Sequence, residues 1–151
     1  MRRKEQQIHD TPAIKDILSR ALVCRLGLCE DNQPYVVPLC FGYKDNALYF
    51  HCGPEGKKLN ILRKNNKVCF EVDIDSEYIK ADKPCKCAMK YKSVIGFGKA
   101  IFIDDAELKC KALNIVMHQF SGKTFVFPEE AMKKTTILKV EIESMTGKQL
   151  T

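Results

Sequence analysis

No stretch of this chain approaches the length of a membrane span, and no apolar segment follows the basic residues at its start. These absences predict a protein without membrane spans or an export signal, so the reducing cytoplasm is its expected location. The 25 basic and 19 acidic residues form no long run of one sign, and residues 80–92 match no nucleic-acid-binding motif. Repeats, low-complexity tracts and linkers are also lacking, so we expect residues 1–151 to form one domain without a nucleic-acid partner.

The eight cysteines lack the signs of a disulfide framework or a zinc site. Four cysteines lie inside apolar strand-like runs, where a free thiol packs as a small hydrophobic side chain: Cys24, Cys40, Cys52 and Cys69. We therefore expect free and mostly buried thiols. Cys85 and Cys87 are one residue apart instead of the two of common zinc knuckles, and no second pair accompanies them, so no metal site is expected.

The stretch 48–59 carries the strongest functional signal. It predicts a buried strand that breaks at Gly53-Pro54 and continues as a helix whose first turn holds Lys57 and Lys58. A helix start offers free backbone N–H groups and the positive end of the helix dipole, so two lysines there indicate a phosphate site; the alternative is a pair of solvated surface lysines. His51 lies just upstream, either as a residue that exchanges protons with a ligand or as a structural strand residue.

The rest of the chain predicts six strands in hairpin-like order, with helices at the ends and corners. The strands cover 23–29, 34–43, 47–52, 68–74, 91–103 and 136–145, the helices start near 10, 57 and 105, and 76–90 is a polar connection. Gly96 and Gly98 interrupt the longest strand, and bends at glycines are how a small barrel turns its corners. The pattern predicts a mainly β fold, a six-stranded antiparallel barrel with peripheral helices.

Five segments occur in an order and spacing that match a known family. They are Pro34-Tyr35-Val36-Val37-Pro38-Leu39, Leu48-Tyr49-Phe50-His51, Gly56-Lys57-Lys58, Tyr91-Lys92-Ser93-Val94-Ile95-Gly96-Phe97-Gly98-Lys99-Ala100 and Met145-Thr146-Gly147-Lys148. Together they resemble the FMN-binding split barrels related to pyridoxamine 5′-phosphate oxidase, and the last two are similar to its nitroimidazole-resistance (Nim-type) branch. The resemblance implies a homodimer with flavin in a groove between the subunits, and FMN rather than FAD as the cofactor.

The resemblance also implies roles for individual residues. The positions that would bind the cofactor are Val37, Pro38, Leu39, Phe50, His51, Lys57, Lys58 and Ser93. The first three would run beside the isoalloxazine ring and the ribityl chain, and the two lysines would hold the phosphate. His51 would also be the catalytic residue, as a proton relay or substrate contact, and Lys148 would reach the partner subunit.

Some features of the oxidase itself are missing from this chain. No basic residue stands between Val37 and Gly42, tryptophan is absent, and the last strand runs into Met145-Thr146-Gly147-Lys148 instead of an Arg-x-His motif. The resemblance therefore favours an FMN-dependent oxidoreductase that reduces nitroaromatic compounds over pyridoxamine phosphate oxidation. The alternatives are a flavin-binding or flavin-storage module without turnover, and a haem-binding split barrel with a histidine as axial ligand.

Overall fold

Eight strands pair into a single antiparallel sheet in the computed structural model, which describes residues 3–151. The strands are β1 (Gln7–Ile8), β2 (Val23–Glu30), β3 (Gln33–Cys40), β4 (Gly42–Lys44), β5 (Ala47–Cys52), β6 (Lys67–Ile79), β7 (Ala88–Ile103) and β8 (Thr136–Leu150). The helices are α1 (Thr11–Arg20), α2 (Lys57–Lys64), α3 (Ala106–Ser121) and α4 (Glu129–Lys133), with short 3₁₀ turns at Lys4–Gln6 and Pro84–Lys86. Within residues 3–151 no helix is both long and apolar enough to span a membrane.

The sheet curls on itself because its two edge strands are consecutive in the chain. The strand order is β3-β2-β6-β7-β8-β5-β4, with β1 paired to β8. Only Phe41 separates β3 at one edge from β4 at the other, and this one-residue link holds the two edges side by side. The predicted mainly β antiparallel barrel with peripheral helices is thereby confirmed.

The barrel has eight strands rather than the predicted six, for identifiable reasons. The fully buried Phe41 divides the predicted strand 34–43 into β3 and β4, and the two-residue β1 is too short to show a sequence pattern. Residues 76–90 extend β6 and β7 as a hairpin arm, in which Glu77 pairs with Lys90 and Tyr78 with Met89. This arm is polar because most of its side chains are exposed, so it lacks the alternation that identifies a half-buried strand.

Side chains alternate between the two faces of each strand, and those on one face fill the barrel interior. Leu48 and Phe50 of β5 point inward and are fully buried, and the Phe50 ring lies 6.2 Å from that of Phe41. A Cβ at Gly96 would lie 2.2 Å from the Phe70 ring, so only glycine fits there. The register of β7 against β8 shifts between Phe97 and Gly98, which confirms the predicted bend or bulge at the glycines.

All eight cysteines carry free thiols, as predicted, but the expectation that they are mostly buried is wrong. Only Cys24 is fully buried, Cys40 and Cys85 are exposed, and the other five are half-buried. Apolar neighbours on a strand do not decide this property, because successive side chains alternate between the core and the outer face.

Candidate functional site

The start of α2 is a helix end without a side-chain cap. Gly56 is the N-cap residue, with φ of 140°, a region that glycine adopts without a steric cost. Its carbonyl oxygen accepts hydrogen bonds from the N–H groups of Leu59 and Asn60, at 3.0 and 3.2 Å. The N–H groups of Lys57 and Lys58 precede these bonds, in the part of a helix that has no carbonyl partners. The helix therefore presents free donors and the positive end of its dipole at this point.

The two lysines of this helix start are not neutralised by acidic side chains. Among residues 3–151 neither Lys57 nor Lys58 forms an ion pair with a carboxylate. By contrast, Lys64 at the other end of α2 is paired with Glu30. The Lys57 Nζ lies 4.8 Å from the centre of the Tyr35 ring on β3, a favourable cation–π distance. The pair thus remains available to an anionic ligand.

Strand β5 ends beside these lysines. Burial raises the pKa of the Cys52 thiol at the end of β5, and the nearby Lys58 ammonium opposes that rise. The Cys52 Sγ also donates a weak hydrogen bond to the Thr136 carbonyl oxygen of β8, at 3.7 Å. Lys58 therefore lies close enough to the end of β5 to influence the Cys52 thiol.

The predicted cofactor-binding residues 37–39 are divided between the two faces of β3. Val37 and Leu39 are half-buried against the core on the same face as Tyr35, which contacts Lys57. Pro38 lies on the opposite, exposed face because neighbouring strand residues alternate. The structure therefore brings Val37 and Leu39 to the side of the lysines and separates Pro38 from them.

Phe50 and His51 are likewise on opposite faces of β5. His51 is exposed on the outer face and faces Ile137 of β8 in the register. Phe50 is fully buried and packs inside the barrel. Strand alternation permits only one of two consecutive residues to face a surface site, and of these two side chains only that of His51 does so.

Ser93 lies apart from the lysines within one chain. It faces Asp73 on β6 and Lys148 on β8 and is half-buried on the outer face of β7. Strands β2 and β6 separate β7 from β3, which corresponds to about 14 Å across the sheet. The Lys148 Nζ lies 5.5 Å from the centre of the Tyr91 ring. Ser93 and Lys148 therefore form a second candidate region on the outer face, separate from the start of α2.

An apolar row on this outer face was missed by the sequence reasoning. Val36, Phe97 and Ile95 are 62%, 55% and 46% exposed, and the register aligns Val36, Gly27, Cys69 and Phe97 across four strands. The signal was present in β7, where small residues alternate with large apolar ones. Since the small residues face the crowded barrel interior, the large ones must face outward.

A cavity of about 1270 Å³ lies between α3 and the outer face of β5, β7 and β8. Its lining includes Tyr43, Tyr49, Ile101, Leu108, Ile115 and His118. None of the predicted cofactor residues lines this cavity. The features that suit an anion lie at the start of α2 instead.

These observations describe an antiparallel barrel with an uncapped helix start, whose first residue, Lys57, lies against Tyr35 of β3. A family model described as pyridoxamine 5′-phosphate oxidase matches residues 10–149. The chain therefore belongs to the pyridoxamine 5′-phosphate oxidase family of flavin-binding split barrels, as the sequence resemblance predicted.

Solved structures support this assignment. A candidate 5-nitroimidazole antibiotic resistance protein from Bacteroides thetaiotaomicron is 35% identical with a TM-score of 0.85, and the match covers 95% of this chain and 86% of that one. A flavocytochrome from Azotobacter vinelandii is 19% identical with a TM-score of 0.86, covering 100% of this chain and 72% of that one. The FAD and heme binding protein from Mycobacterium smegmatis is 19% identical with a TM-score of 0.85, covering 95% and 73%. These two more distant similarities show the fold alone.

A curated relative matches over a shorter segment. An uncharacterized protein from Rhizobium meliloti is 38% identical over 50 residues, which is 33% of this chain and 32% of that protein. The match therefore spans about a third of the length of that curated relative.

Proposed function

We propose that the chain binds FMN as a homodimer and acts as a flavin-dependent oxidoreductase on nitroaromatic compounds of the nitroimidazole type. The observation that carries the proposal is the uncapped start of α2 with two lysines that have no carboxylate partner among residues 3–151. Family membership supports a flavin as the ligand, and the 35% identity to a candidate nitroimidazole-resistance protein supports the substrate class.

The residues at this helix start fit a phosphate group. A phosphate monoester offers several oxygen acceptors, which match the free N–H groups of the first helical turn and two ammonium groups. Each hydrogen bond to a charged group contributes about 1.5–3 kcal/mol, so losing both ammonium groups should weaken binding by at least about 100-fold. The affinity for a flavin without a phosphate should not change when the two ammonium groups are lost.

The remaining residues of the site would orient the cofactor and manage protons. Val37 and Leu39 form a half-buried apolar surface beside Tyr35 and would contact the ring or the ribityl chain. His51, exposed on the outer face of β5, would pass a proton to or from a bound substrate at its imidazole. When bound, the flavin supplies the electron transfer, while the protein supplies orientation and exclusion of water.

The apolar row on the outer face supports the homodimer. Val36 and Phe97 lie in one row with Ile95 beside it, and large exposed apolar patches mark interaction surfaces. A second copy placed against this row would also approach Ser93 and Lys148, which lie on the same face but apart from the lysines of their own chain. A flavin between subunits would then contact α2 of one protomer and the Ser93 region of its partner.

Titration with FMN and riboflavin tests the phosphate site. The double variant Lys57→Ala/Lys58→Ala should lose at least about 100-fold in FMN affinity and little in riboflavin affinity, because only FMN carries the phosphate. Lys64→Ala is the control, since it removes a charge from the same helix at its other end. Equal losses for the two flavins, or unchanged FMN affinity, would show that the phosphate binds elsewhere. Titration with FAD decides between the two cofactors.

Anaerobic stopped-flow spectroscopy tests the activity. The bound flavin is reduced and mixed with a nitroimidazole, and its reoxidation is followed by the return of flavin absorbance. Lack of reoxidation would favour a binding or storage module. A Soret band instead of flavin bands in the purified protein would favour the haem alternative.

Light scattering coupled to size-exclusion chromatography tests the dimer. Phe97→Asp places a charge in the apolar row and should shift the protein to a monomer with weakened FMN binding. Val126→Asp is the matched control, because Val126 is 97% exposed on the loop before α4, away from that row. A dimeric Phe97→Asp variant would place the interface on another surface.

A further inference from the structure

Two cysteines lie together at the end of the hairpin arm formed by β6 and β7. Cys85 is exposed within the 3₁₀ turn Pro84–Lys86, and Cys87 is half-buried immediately after it. In residues 3–151 no group of three or more His, Cys, Asp or Glu side chains is placed to hold a metal ion, so this pair lacks further ligands of that kind. The pair also lies on a different element from the proposed flavin site.

The two thiols have different surroundings. The Cys87 Sγ donates weak hydrogen bonds to the carbonyl oxygens of Ala81 and Lys83, at 3.6 and 4.0 Å. The nearby Tyr78 phenol lowers the pKa of Cys87, because its O–H group stabilises the thiolate. The same contact raises the pKa of Tyr78, as expected for a phenol that donates to a thiolate.

The local charge favours the thiolate as well. Residues 80–87 contain Lys80, Lys83 and Lys86 against the single acidic residue Asp82. None of these lysines forms an ion pair with a carboxylate among residues 3–151. A partly exposed cysteine in an electropositive setting, next to a second cysteine, is the usual setting of a thiol that reacts with oxidants.

We propose that Cys85 and Cys87 form a redox-active thiol pair that reduces low-molecular-weight disulfides of the glutathione type. The Cys87 thiolate attacks one sulfur of the small disulfide, whose S–S bond breaks and whose other half leaves as a thiolate that takes up a proton. Cys85, as a thiolate, then attacks the Cys87 sulfur, forms the Cys85–Cys87 disulfide and releases the second half. The two cysteines lose two electrons together, and the small disulfide becomes two thiols.

The turn that holds the pair can accommodate this second step. Alpha carbons two residues apart in a 3₁₀ turn are about 5 Å apart, within the span that a disulfide bridges. The side chains of such a pair diverge, so the turn must open for the sulfurs to meet. Two backbone hydrogen bonds hold it, from the Lys86 N–H to the Lys83 carbonyl oxygen and from the Cys87 N–H to the Pro84 carbonyl oxygen, and the three residues of the turn are not buried.

Mass spectrometry after treatment with glutathione disulfide tests the proposal on the full chain. Trypsin cleaves after Lys86, between the two cysteines, so the internal disulfide appears as peptide 81–86 linked to peptide 87–90, two hydrogen atoms lighter than the sum. The variant Cys85→Ser should instead accumulate the mixed disulfide on Cys87. Absence of the linked peptides in the wild type, or no glutathione adduct on Cys87 in Cys85→Ser, would overturn the proposal.

Alkylation rates distinguish a tuned thiol from a merely accessible one. Cys40 is the internal control, because it is exposed on β3, outside the hairpin arm that holds Cys85 and Cys87. Cys87 should react faster than Cys40 at pH 7 although it is less exposed. Tyr78→Phe should slow Cys87 by about threefold to tenfold and move its pH profile upward, because less thiolate is present. Equal rates for Cys87 and Cys40, or no effect of Tyr78→Phe, would contradict the assignment.

Discussion

Phe50 and His51 are consecutive, yet the structure predicts opposite consequences of replacing them. Phe50 is fully buried and its ring lies 6.2 Å from that of Phe41, whereas His51 is exposed. Truncating a buried phenylalanine to alanine removes its transfer free energy and leaves a cavity, which together cost about 3–5 kcal/mol. About 1 kcal/mol of this loss comes from the aromatic pair with Phe41. Truncating an exposed histidine changes the free energy of unfolding by less than about 0.5 kcal/mol.

Urea denaturation followed by far-UV circular dichroism measures this difference, because the chain has no tryptophan to report unfolding. With a slope of about 2 kcal/mol per molar, Phe50→Ala should lower the midpoint by about 2 M. Such a loss is a large part of the 5–15 kcal/mol or so that is typical of a domain. The comparison is made on flavin-free protein, since a bound flavin would stabilise the folded state by mass action.

The reverse ranking would refute the assignment of faces on β5. If Phe50→Ala lost less than about 1 kcal/mol while His51→Ala lost more, Phe50 would face the surface and the register of β5 would be displaced by one residue. FMN titration tests the assignment of the two faces of β5 independently. His51→Ala should alter flavin reactivity or affinity, whereas the conservative Phe50→Leu should leave affinity within about threefold because its side chain does not reach the groove.

Three further predictions concern the scaffold. Gly98→Ala should cost about 3 kcal/mol, because its Cβ would lie 2.2 Å from a backbone carbonyl oxygen of β8, whereas the control Gly53→Ala has nothing within 4 Å; urea titration compares them. Asp105→Ala should cost about 1 kcal/mol of thermal or urea stability, because its carboxylate caps the start of α3. Hydrogen bonds from Lys92 and Arg20 lower the pKa of Asp75. The ionised Asp75 therefore stabilises the folded state above a pH of about 4, and this contribution to the free energy of unfolding is lost as the pH falls further. Wild type and Asp75→Asn should therefore differ in stability at pH 7 and converge in acid, and coinciding curves at pH 7 would contradict the pairing.

The sequence was informative wherever one face of an element is buried. The helix starts at Asp10 and Asp105 were predictable because an acidic cap precedes an apolar periodic run. The arm at 76–90 was not, because its strands expose most side chains and their pairing depends on long-range partners such as Glu77 and Lys90. The break at Phe41 also eluded the pattern, since an apolar residue between apolar strands carries no turn signal.

The candidate site was likewise predictable only where its signals are local in the sequence. Lys57 and Lys58 were recognisable because a strand, a Gly-Pro break and a helix start are local signals. The burial of the Phe50 side chain was not predictable, because a run of apolar residues does not reveal which member faces the core. The distance of Ser93 from the lysines follows from the order of four strands in the sheet, which no short segment encodes.

Strand β8 has a consequence for how the chain folds as it is synthesised. It pairs with β1, β5 and β7, so it joins the sheet segment β3-β2-β6-β7 to the segment β5-β4. A nascent chain that has not reached residue 136 can form only these two separate segments, each with an open edge and an exposed apolar face. The barrel therefore closes late, and the interval before closure is when the chain is most exposed to aggregation and most in need of chaperones.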